Sequence, residues 1–496
     1  MSHRELTVSA GNLVPMTQTL IRPDTEGTTA PRRATVAPHG SPTGVAQHYA
    51  QQTKERSRWA AALEFAFWVP LALVVAFFLA DGGMYDFGSI AAAFTSIGVL
   101  TGLLGTAGVC VMLILAARVP LIDKTLGQVK ATELHAKYGQ WTIIALLQHA
   151  AFTTVGYSLA DGKNVIAEFA SLWSSTMDFV WAVIGMVLFL AVSVSSIATA
   201  RKKLPYEAWH VIHLLSYVGT IAAIPHMFSM SSILGGTSVQ HWYFIALLSL
   251  TGILLFVYRL VMPIINTLDH NIRVTRVVRI APDTINIEMS GRRLEELGAQ
   301  GGQYFHWRFL APGFWWHQHP FSLSAAPTNN SLRITVRALG NGSAALADLR
   351  PGTRVGIEGP YGIFSDASRT KEAAVFVGAG VGIAPIRSII ESTAIAPGRA
   401  AVILRASTEK QVYLLEEIRE ICARRGITLA VLTGSRKPGG WVPASRPNLK
   451  LTDIAPYLKD ADVFVCGPND YTEIVTEEAR TLGVPAEQIH DERFNW

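Results

Sequence analysis

Charge is what this 496-residue sequence has least of. Asp, Glu, Lys and Arg together make 16% of it, against roughly 25% in an average soluble protein. With half of the residues hydrophobic and a mean hydropathy of +0.29, this deficit argues against an ordinary soluble enzyme and equally against a disordered chain. Cysteine is scarce too. Cys110, Cys422 and Cys466 stand far apart, one of them in an apolar run, which argues against a disulfide framework. The net charge is only +5, and no basic block is interleaved with aromatics, so nucleic acid is not an expected partner. The short apolar core and small-residue cleavage site of a secretory signal are missing. At ~150 residues per domain the length suggests about three units.

Residues 1–58 hold one aromatic, Tyr49, and are rich in Thr, Pro, Ser and Gly. Such a stretch buries too little apolar area to offset the entropy of ordering, so a disordered cytoplasmic tail is expected. From Trp59 the character changes. Ile90–Ala117, Tyr138–Ala160 and Phe179–Ala200 are uncharged runs, each long enough to cross a bilayer as a helix of ~20 residues. Trp59–Ala80, whose only charge is Glu64, Ala208–Met230 and the shorter His241–Tyr258 bring the total to six spans in a domain over 59–263. Lys54, Arg56 and Arg58, then Arg118, Lys124 and Lys130, then Arg201, Lys202 and Lys203, then Arg273 and Arg276 fall on one side. Asp81, Asp86, Asp161, Lys163 and Glu168 fall on the other. Basic loops stay in the cytoplasm, so the lipid bilayer is crossed six times with both termini inside.

After about His270 the pattern turns soluble. Ile272–Ile280, Thr284–Met289, Tyr304–Phe309, Leu332–Ala338 and Arg354–Glu358 read as short strands, which predicts a small antiparallel β-barrel over 270–368. Over 371–496, strand-like runs at Ala373–Val377, Ala401–Leu404, Thr428–Leu432 and Val463–Cys466 alternate with helical stretches such as Pro385–Thr393 and Leu414–Ala423. That alternation predicts an α/β domain with a parallel sheet. The fold class is thus multidomain: a six-helix transmembrane bundle, an antiparallel β-barrel and an α/β domain.

Two spans carry paired histidines. His135 and His149 lie ~21 Å apart along span three and only ~40° off one face. His213 and His226 lie ~19.5 Å apart along span five, but ideal geometry puts them ~140° out of register. Pro225 supplies a kink that can return the rings. The two spans run the same way, so His135 shares the cytoplasmic level with His213, and His149 the outer level with His226. A single intramembrane histidine is more often a bonded structural residue or part of a proton path. Two at each of two levels is what two stacked bis-histidyl haems need, one imidazole on each axial side of each iron. His210, His241 and the histidines of the 1–58 tail lack such matches and read as surface or structural. Met227 and Met230, near His226, read as loop packing rather than a soft metal site.

His319-Pro320-Phe321-Ser322-Leu323-Ser324 follows Trp315 and Trp316. An aromatic can stack on an isoalloxazine ring, and a hydroxyl can bond its N5 edge. Arg337 ends the next strand, and Gly340-Asn341-Gly342-Ser343 opens the helix Ala344–Leu349, whose free amides suit a pyrophosphate. The alternative is an ordinary helix with Ser343 as its N-cap. Gly378-Ala379-Gly380-Val381-Gly382-Ile383-Ala384-Pro385 joins a strand to a helix, the context that gives a glycine pattern its meaning. Arg405 follows one strand and Ser435-Arg436 another. A hydroxyl and guanidinium there suit a ribose 2′-phosphate, favouring NADPH while leaving NADH open. Cys466-Gly467-Pro468 ends the last strand, where ligands gather above an open sheet. The terminal Trp496 is either a flavin cover or a packed tail.

With these motifs in this order, the stretch from Trp59 to Trp496 resembles the ferric reductase/NADPH oxidase superfamily in a compact bacterial form, fused to a ferredoxin-NADP reductase-type module. The resemblance implies that His135, His149, His213 and His226 ligate an inner and an outer haem b. It implies flavin-contact positions at His319, Phe321 and Ser322, and FAD pyrophosphate positions at Gly342 and Ser343. Gly378, Gly380 and Gly382 would hold the NADPH pyrophosphate, with Cys466 beside the nicotinamide. The location implied is a bacterial inner membrane. Superoxide-producing animal-type members carry a further histidine one turn beyond the outer ligand, and that position is Thr153 here. Residues 226–241 also lack Lys and Arg, so no cation there attracts an anionic chelate.

The expected reaction passes hydride from NADPH to FAD, which takes two electrons together and releases them singly. Two haems then carry the electrons, because ~30 Å of hydrocarbon is too far for one jump. The acceptor would be a ferric chelate or O2 outside. Two other readings stand beside this one: an electron-delivery module for a periplasmic protein partner or quinone, and a haem-binding sensor whose reductase half has decayed.

Overall fold

The computed structural model describes residues 42–82, 87–197, 201, 203, 204, 206–231 and 233–493. Asp86, Lys202, Trp496 and the first 41 residues of the expected tail lie outside the described residues. Beyond residue 53 the chain forms two compact units: a helical one over 54–269 that also takes in 361–363, and one over 270–360 and 364–496.

The helical unit contains α1 (Pro42–Ala80), α2 (Ile90–Ala116), α3 (Pro120–Leu126), α4 (Gln128–Asp161), α5 (Val165–Ser175), α6 (Met177–Ser196), α7 (Tyr206–Ser229) and α8 (Val239–Phe256). A π-helical turn, Val257–Val261, links α8 to α9 (Met262–His270). Among the described residues, six helices in this unit are long and apolar enough to span a bilayer. Large apolar side chains such as Val187 and Ile221 point outward, as helices solvated by lipid require. α1 corrects the expected tail, since it begins at Pro42 and makes 42–58 helical. That segment has no apolar face, but it extends a helix already nucleated by the first span and is rich in Ala, Gln, Lys and Arg. The short helices α3 and α5 were not legible. α5 starts at Asn164, whose side chain accepts from the Ala167 amide at 2.9 Å.

Close helix packing here follows from missing side chains. Gly98, Gly102, Gly105 and Gly108 recur at helical spacing on α2, and a Cβ added to any of them would come within 2.5–2.6 Å of an α4 side chain. Small residues let two helix backbones approach in this way. Gly185 of α6 and Gly219 of α7 meet similarly, the first facing the carbonyl of the second. α2 therefore lies along α4, and α6 along α7. The two histidine-bearing helices, α4 and α7, are not close-packed against each other among the described residues.

The second unit starts with two three-stranded sheets, β1 (Arg273–Ala281), β2 (Thr284–Ser290) and β5 (Ser331–Arg337) in the order β1-β2-β5, and β3 (Tyr304–Phe309), β4 (His319–Ser322) and β6 (Val355–Tyr361) in the order β4-β3-β6. They enclose one apolar core that includes Ile287, Trp307, Phe309, Leu323 and Ile334. Next comes a five-stranded parallel sheet of β7 (Ala373–Ala379), β8 (Ala400–Ala406), β9 (Thr428–Thr433), β10 (Ala461–Gly467) and β11 (Ile489–Arg493), ordered β11-β10-β7-β8-β9. Crossover helices include α11 (Ile383–Ser392), α12 (Leu415–Arg425) and α14 (Asn469–Thr481), with the short α10 (Asn341–Ala345) and α13 (Leu451–Ile454) elsewhere in the unit.

Polar contacts lock the two layers of this unit together. Arg333 of β5 pairs with Glu417 of α12 at 2.8 Å, and Arg387 of α11 reaches the same carboxylate at 2.8 Å. Glu391 accepts from the Ala326 amide at 2.6 Å, and the Ser388 hydroxyl donates to the Ala325 carbonyl at 2.8 Å. Burial pushes the Glu417 carboxyl up, but the two guanidiniums outweigh it and leave the carboxyl below the ordinary glutamate range. A depressed carboxylate contributes stability above its unfolded value, ~4.3, and that stability is lost as pH falls through the folded value. Glu417→Gln is therefore expected to destabilise this unit by about 1 kcal/mol at neutral pH, given its partial exposure, and to flatten the acid dependence below pH ~4. Thermal unfolding of the full chain between pH 3 and 7 checks this; an undiminished acid dependence in the variant would contradict it.

Candidate functional site

α4 and α7 bring their histidines face to face at two levels. The His135 and His213 ring centroids are 5.9 Å apart, and those of His149 and His226 are 6.1 Å apart. The ~140° offset expected along span five does not keep its rings from both facing α4, and Pro225 lies inside α7. His135 Nδ1 lies 3.0 Å from the Met112 carbonyl, and His149 Nδ1 lies 2.8 Å from the Gly98 carbonyl, both on α2. A carbonyl can only accept, so each Nδ1 donates and Nε2 is the ring nitrogen left for another partner. Gly102 makes room for this arrangement, because a Cβ there would come 2.5 Å from His149 Nδ1. Two metal–imidazole bonds of about 2 Å each, plus roughly a ring radius on either side, span ~6 Å. The spacing and the imidazole nitrogen donors therefore fit a metal held between each pair.

In the second unit the HPFSLS motif forms β4 and the turn after it. The His319 ring stacks on Phe321 with centroids 5.7 Å apart and planes 4° from parallel. Its Nε2 is buried with no hydrogen-bond partner. Burial, and secondarily His317, push its pKa down to about 4, so the ring is neutral. The turn carrying Gly342 adjoins it, since a Cβ on that glycine would sit 3.7 Å from His319 Cε1. Ser343 Oγ accepts from the Leu339 and Gly340 amides at 3.0 and 3.2 Å, so it reaches back from inside α10 and the N-cap is Gly340. Pro320 pairs across to His306, and Ser322 to Tyr304. Ser324 and Arg337 are engaged elsewhere. The Ser324 hydroxyl accepts from Arg333 at 3.2 Å, and Arg337 donates to Asp283 at 2.7 Å. A buried orphan ring nitrogen beside a glycine turn fits a flavin nucleotide.

β7 and β10 are neighbours at the point where strand order reverses, where open parallel sheets bind ligands. Gly378 pairs with Cys466, which puts the GAGVGIAP and CGP motifs side by side. The three glycines differ in role. Gly380 has φ +57° and open space over it, as close approach of a phosphate requires. A Cβ on Gly382 would fall 2.3 Å from the Cys466 carbonyl, and one on Gly378 would press on Ile386, so these two serve helix–strand packing. Pro385 is buried in the first turn of α11.

Two expectations need correction. The Cys466 side chain is fully buried in the sheet core, and burial, followed by Glu492 and Asp491, pushes its thiol well above the ordinary range. It offers no thiolate for chemistry; its backbone and Gly467-Pro468 form the edge of the crevice. Arg405 is also buried, and its guanidinium donates to the carbonyls of Trp441, Leu432, Gly434 and Ala406. It staples the 434–441 loop instead of facing a phosphate. Ser435 and Arg436 remain on that loop, with Arg436 paired to Asp470. Sequence reading missed the locking residues Arg333, Arg387, Glu391 and Glu417; on α11 the signal was charge within an apolar helix, whereas Glu417 is one of several charges on α12.

Three family models match successive parts of the chain: a ferric reductase like transmembrane component over residues 101–224, an FAD-binding domain over 270–365 and an oxidoreductase NAD-binding domain over 376–477. The chain matches the ferric reductase/NADPH oxidase superfamily. The second unit carries the FAD-binding and NAD-binding matches. Similar proteins include the ferredoxin reductase component of a 3-ketosteroid-9-alpha-monooxygenase from Rhodococcus rhodochrous, 30% identical over 35% of this chain and 50% of that one. Ferredoxin--NADP reductase B of Sorangium cellulosum is 29% identical over 35% of this chain and 77% of its own length. NADPH oxidase 1 of Mus musculus is 29% identical over 25% of this chain and 21% of its own. The chain thus spans about half the length of the first of these relatives.

The geometry separates the two arginines of this ferric-reductase-like chain experimentally. Arg436→Ala is expected to raise KM for NADPH about tenfold, the equivalent of one lost charged hydrogen bond, with KM for NADH unchanged. Arg405→Met is expected to lower the melting temperature and leave the NADPH/NADH ratio alone. Equal effects of Arg436→Ala on both coenzymes would contradict the assignment.

Proposed function

We propose that this chain is a transmembrane oxidoreductase of a bacterial inner membrane, moving electrons from cytoplasmic NADPH through FAD and two b-type haems to an outer acceptor, a ferric chelate or O2. The observation that carries this reading is the two facing imidazole pairs, held on helices that otherwise stand apart, in a chain that also has FAD-binding and NAD-binding domains. When bound, the haems supply one-electron carriers across a layer too thick for a single transfer. The chain's own residues orient and exclude. The α2 carbonyls of Met112 and Gly98 fix the tautomers of His135 and His149, and His213 and His226 face them. His135 with His213, and His149 with His226, would each hold a haem from two sides, which would keep an acceptor from binding the metal directly.

In the soluble unit, Phe321 and neutral His319 form the flavin platform, while Gly380 and Arg436 receive the nucleotide phosphates. Ser388 and Glu391 bind the segment after the flavin motif to the helix that follows the nicotinamide glycines, and Arg387 braces Glu391, an arrangement that would present hydride donor and acceptor together. No side-chain acid or base is needed for hydride transfer, in keeping with the buried Cys466 thiol. Both termini lie on the NADPH side in this reading, by the distribution of basic loops.

Purified protein supplied with FAD and NADPH tests the acceptor, by comparing aerobic superoxide yield with anaerobic ferric-chelate reduction. Sustained turnover with either supports the enzyme; haem reduction with neither supports delivery to a periplasmic partner or quinone. His149→Leu is expected to abolish outer-side reduction while NADPH still reduces the flavin, and unchanged outer-side reduction would contradict the outer site. Gly102→Ala, whose Cβ would collide with the His149 ring, is expected to halve the haem content, as measured by pyridine haemochrome.

A further inference from the structure

We propose that Met230 is a positioning residue for His226 that poises the outer site at a higher reduction potential than the inner one. This rests on the di-haem reading above. The four histidines differ in what their Nδ1 atoms face. On α4 both partners are peptide carbonyls, at 3.0 and 2.8 Å. On α7, His213 Nδ1 lies 3.5 Å from the Ser196 hydroxyl, which also accepts from the Trp209 indole at 3.3 Å. His226 Nδ1 faces the Met230 thioether at 3.2 Å. A thioether has no proton to give, so Nδ1–H donates to sulfur, the weakest acceptor of the four.

The sulfur is held in place by its surroundings. The Met230 amide donates to the His226 carbonyl at 3.1 Å, closing one further turn after α7. The Thr176 hydroxyl lies 3.8 Å from the sulfur, and that same oxygen caps α6 by accepting from the Phe179 amide at 3.3 Å. The Phe179 ring in turn sits 6.3 Å from His226. A side chain serving only as loop packing has no need of this register.

The consequence is electronic. The stronger the acceptor on Nδ1–H, the more electron density the ring passes to its Nε2, and the more a bound metal favours its oxidised state. The α2 carbonyl partners of the α4 histidines are alike at both levels, so the difference falls on the α7 histidines, with a hydroxyl inside and a thioether outside. The outer site therefore holds an electron more readily, and transfer runs downhill toward the outer face.

Spectroelectrochemical titration of the full-length protein, with Met230→Gln and Met230→Leu beside the unaltered chain, tests this. Both substitutions keep the side-chain length near that of methionine, while only Gln offers a carbonyl acceptor. The unaltered chain is expected to show two midpoints, the higher one absent in His149→Leu. Met230→Gln is expected to lower that midpoint alone, and Met230→Leu to leave it in place or raise it. Shifts of the same sign in both variants, or in neither, would overturn the proposal. An outer midpoint below the inner one in the unaltered chain would do so without any Met230 variant. Pyridine haemochrome on the same samples keeps the two ideas apart: two haems per chain with an unmoved midpoint overturn the role of Met230 alone, and fewer than two in the unaltered chain overturn the di-haem reading beneath it.

Discussion

The histidine array depends on how closely α2 approaches α4. Four glycines remove the side chains that would keep the backbones apart, and the same approach puts two α2 carbonyls within reach of two imidazole Nδ1 atoms. Close packing and ring orientation are thus one constraint. In a layer where helices gain little from hydrophobic association with one another, packing and interhelical hydrogen bonds carry the specificity. A wider separation would free the rings to rotate, and their Nε2 atoms would no longer face the second helix.

The second unit solves a comparable problem with charge. Two guanidiniums share the Glu417 carboxylate, and Glu391 receives a peptide amide from the segment after the flavin motif. These bonds join the segment after HPFSLS to the helix that follows GAGVGIAP, so the protein itself holds the two motifs in register. Preorganisation of this kind spares the reaction the entropic cost of bringing two reactants together.

Much of the plan was legible because it is written in hydrophobic period and glycine placement. Apolar run lengths identified the six long helices among the described residues, and strand–glycine–helix order placed the glycine motif at the end of β7, beside β10. What was lost depends on contacts between distant residues. Arg405 looked available because it follows a strand, yet four carbonyls from its own sheet and a neighbouring loop consume it. Cys466 stands at the right strand end with its side chain on the wrong face. α5, at 11 residues, is too short to register as a span, and the helix over 42–58 gains its order from the span it extends. The offset of His213 and His226 could not be settled from ideal helix geometry, because their rings pair with partners on another helix rather than with each other.

The central claim is that each facing pair of imidazoles binds one iron from both sides. Near-infrared magnetic circular dichroism of the oxidised, purified protein addresses this most directly, because its charge-transfer band reports which two axial atoms an iron carries. The account predicts low-spin bis-imidazole signals from both sites and no other. A high-spin signal, or a band belonging to histidine with methionine or thiolate, would contradict it.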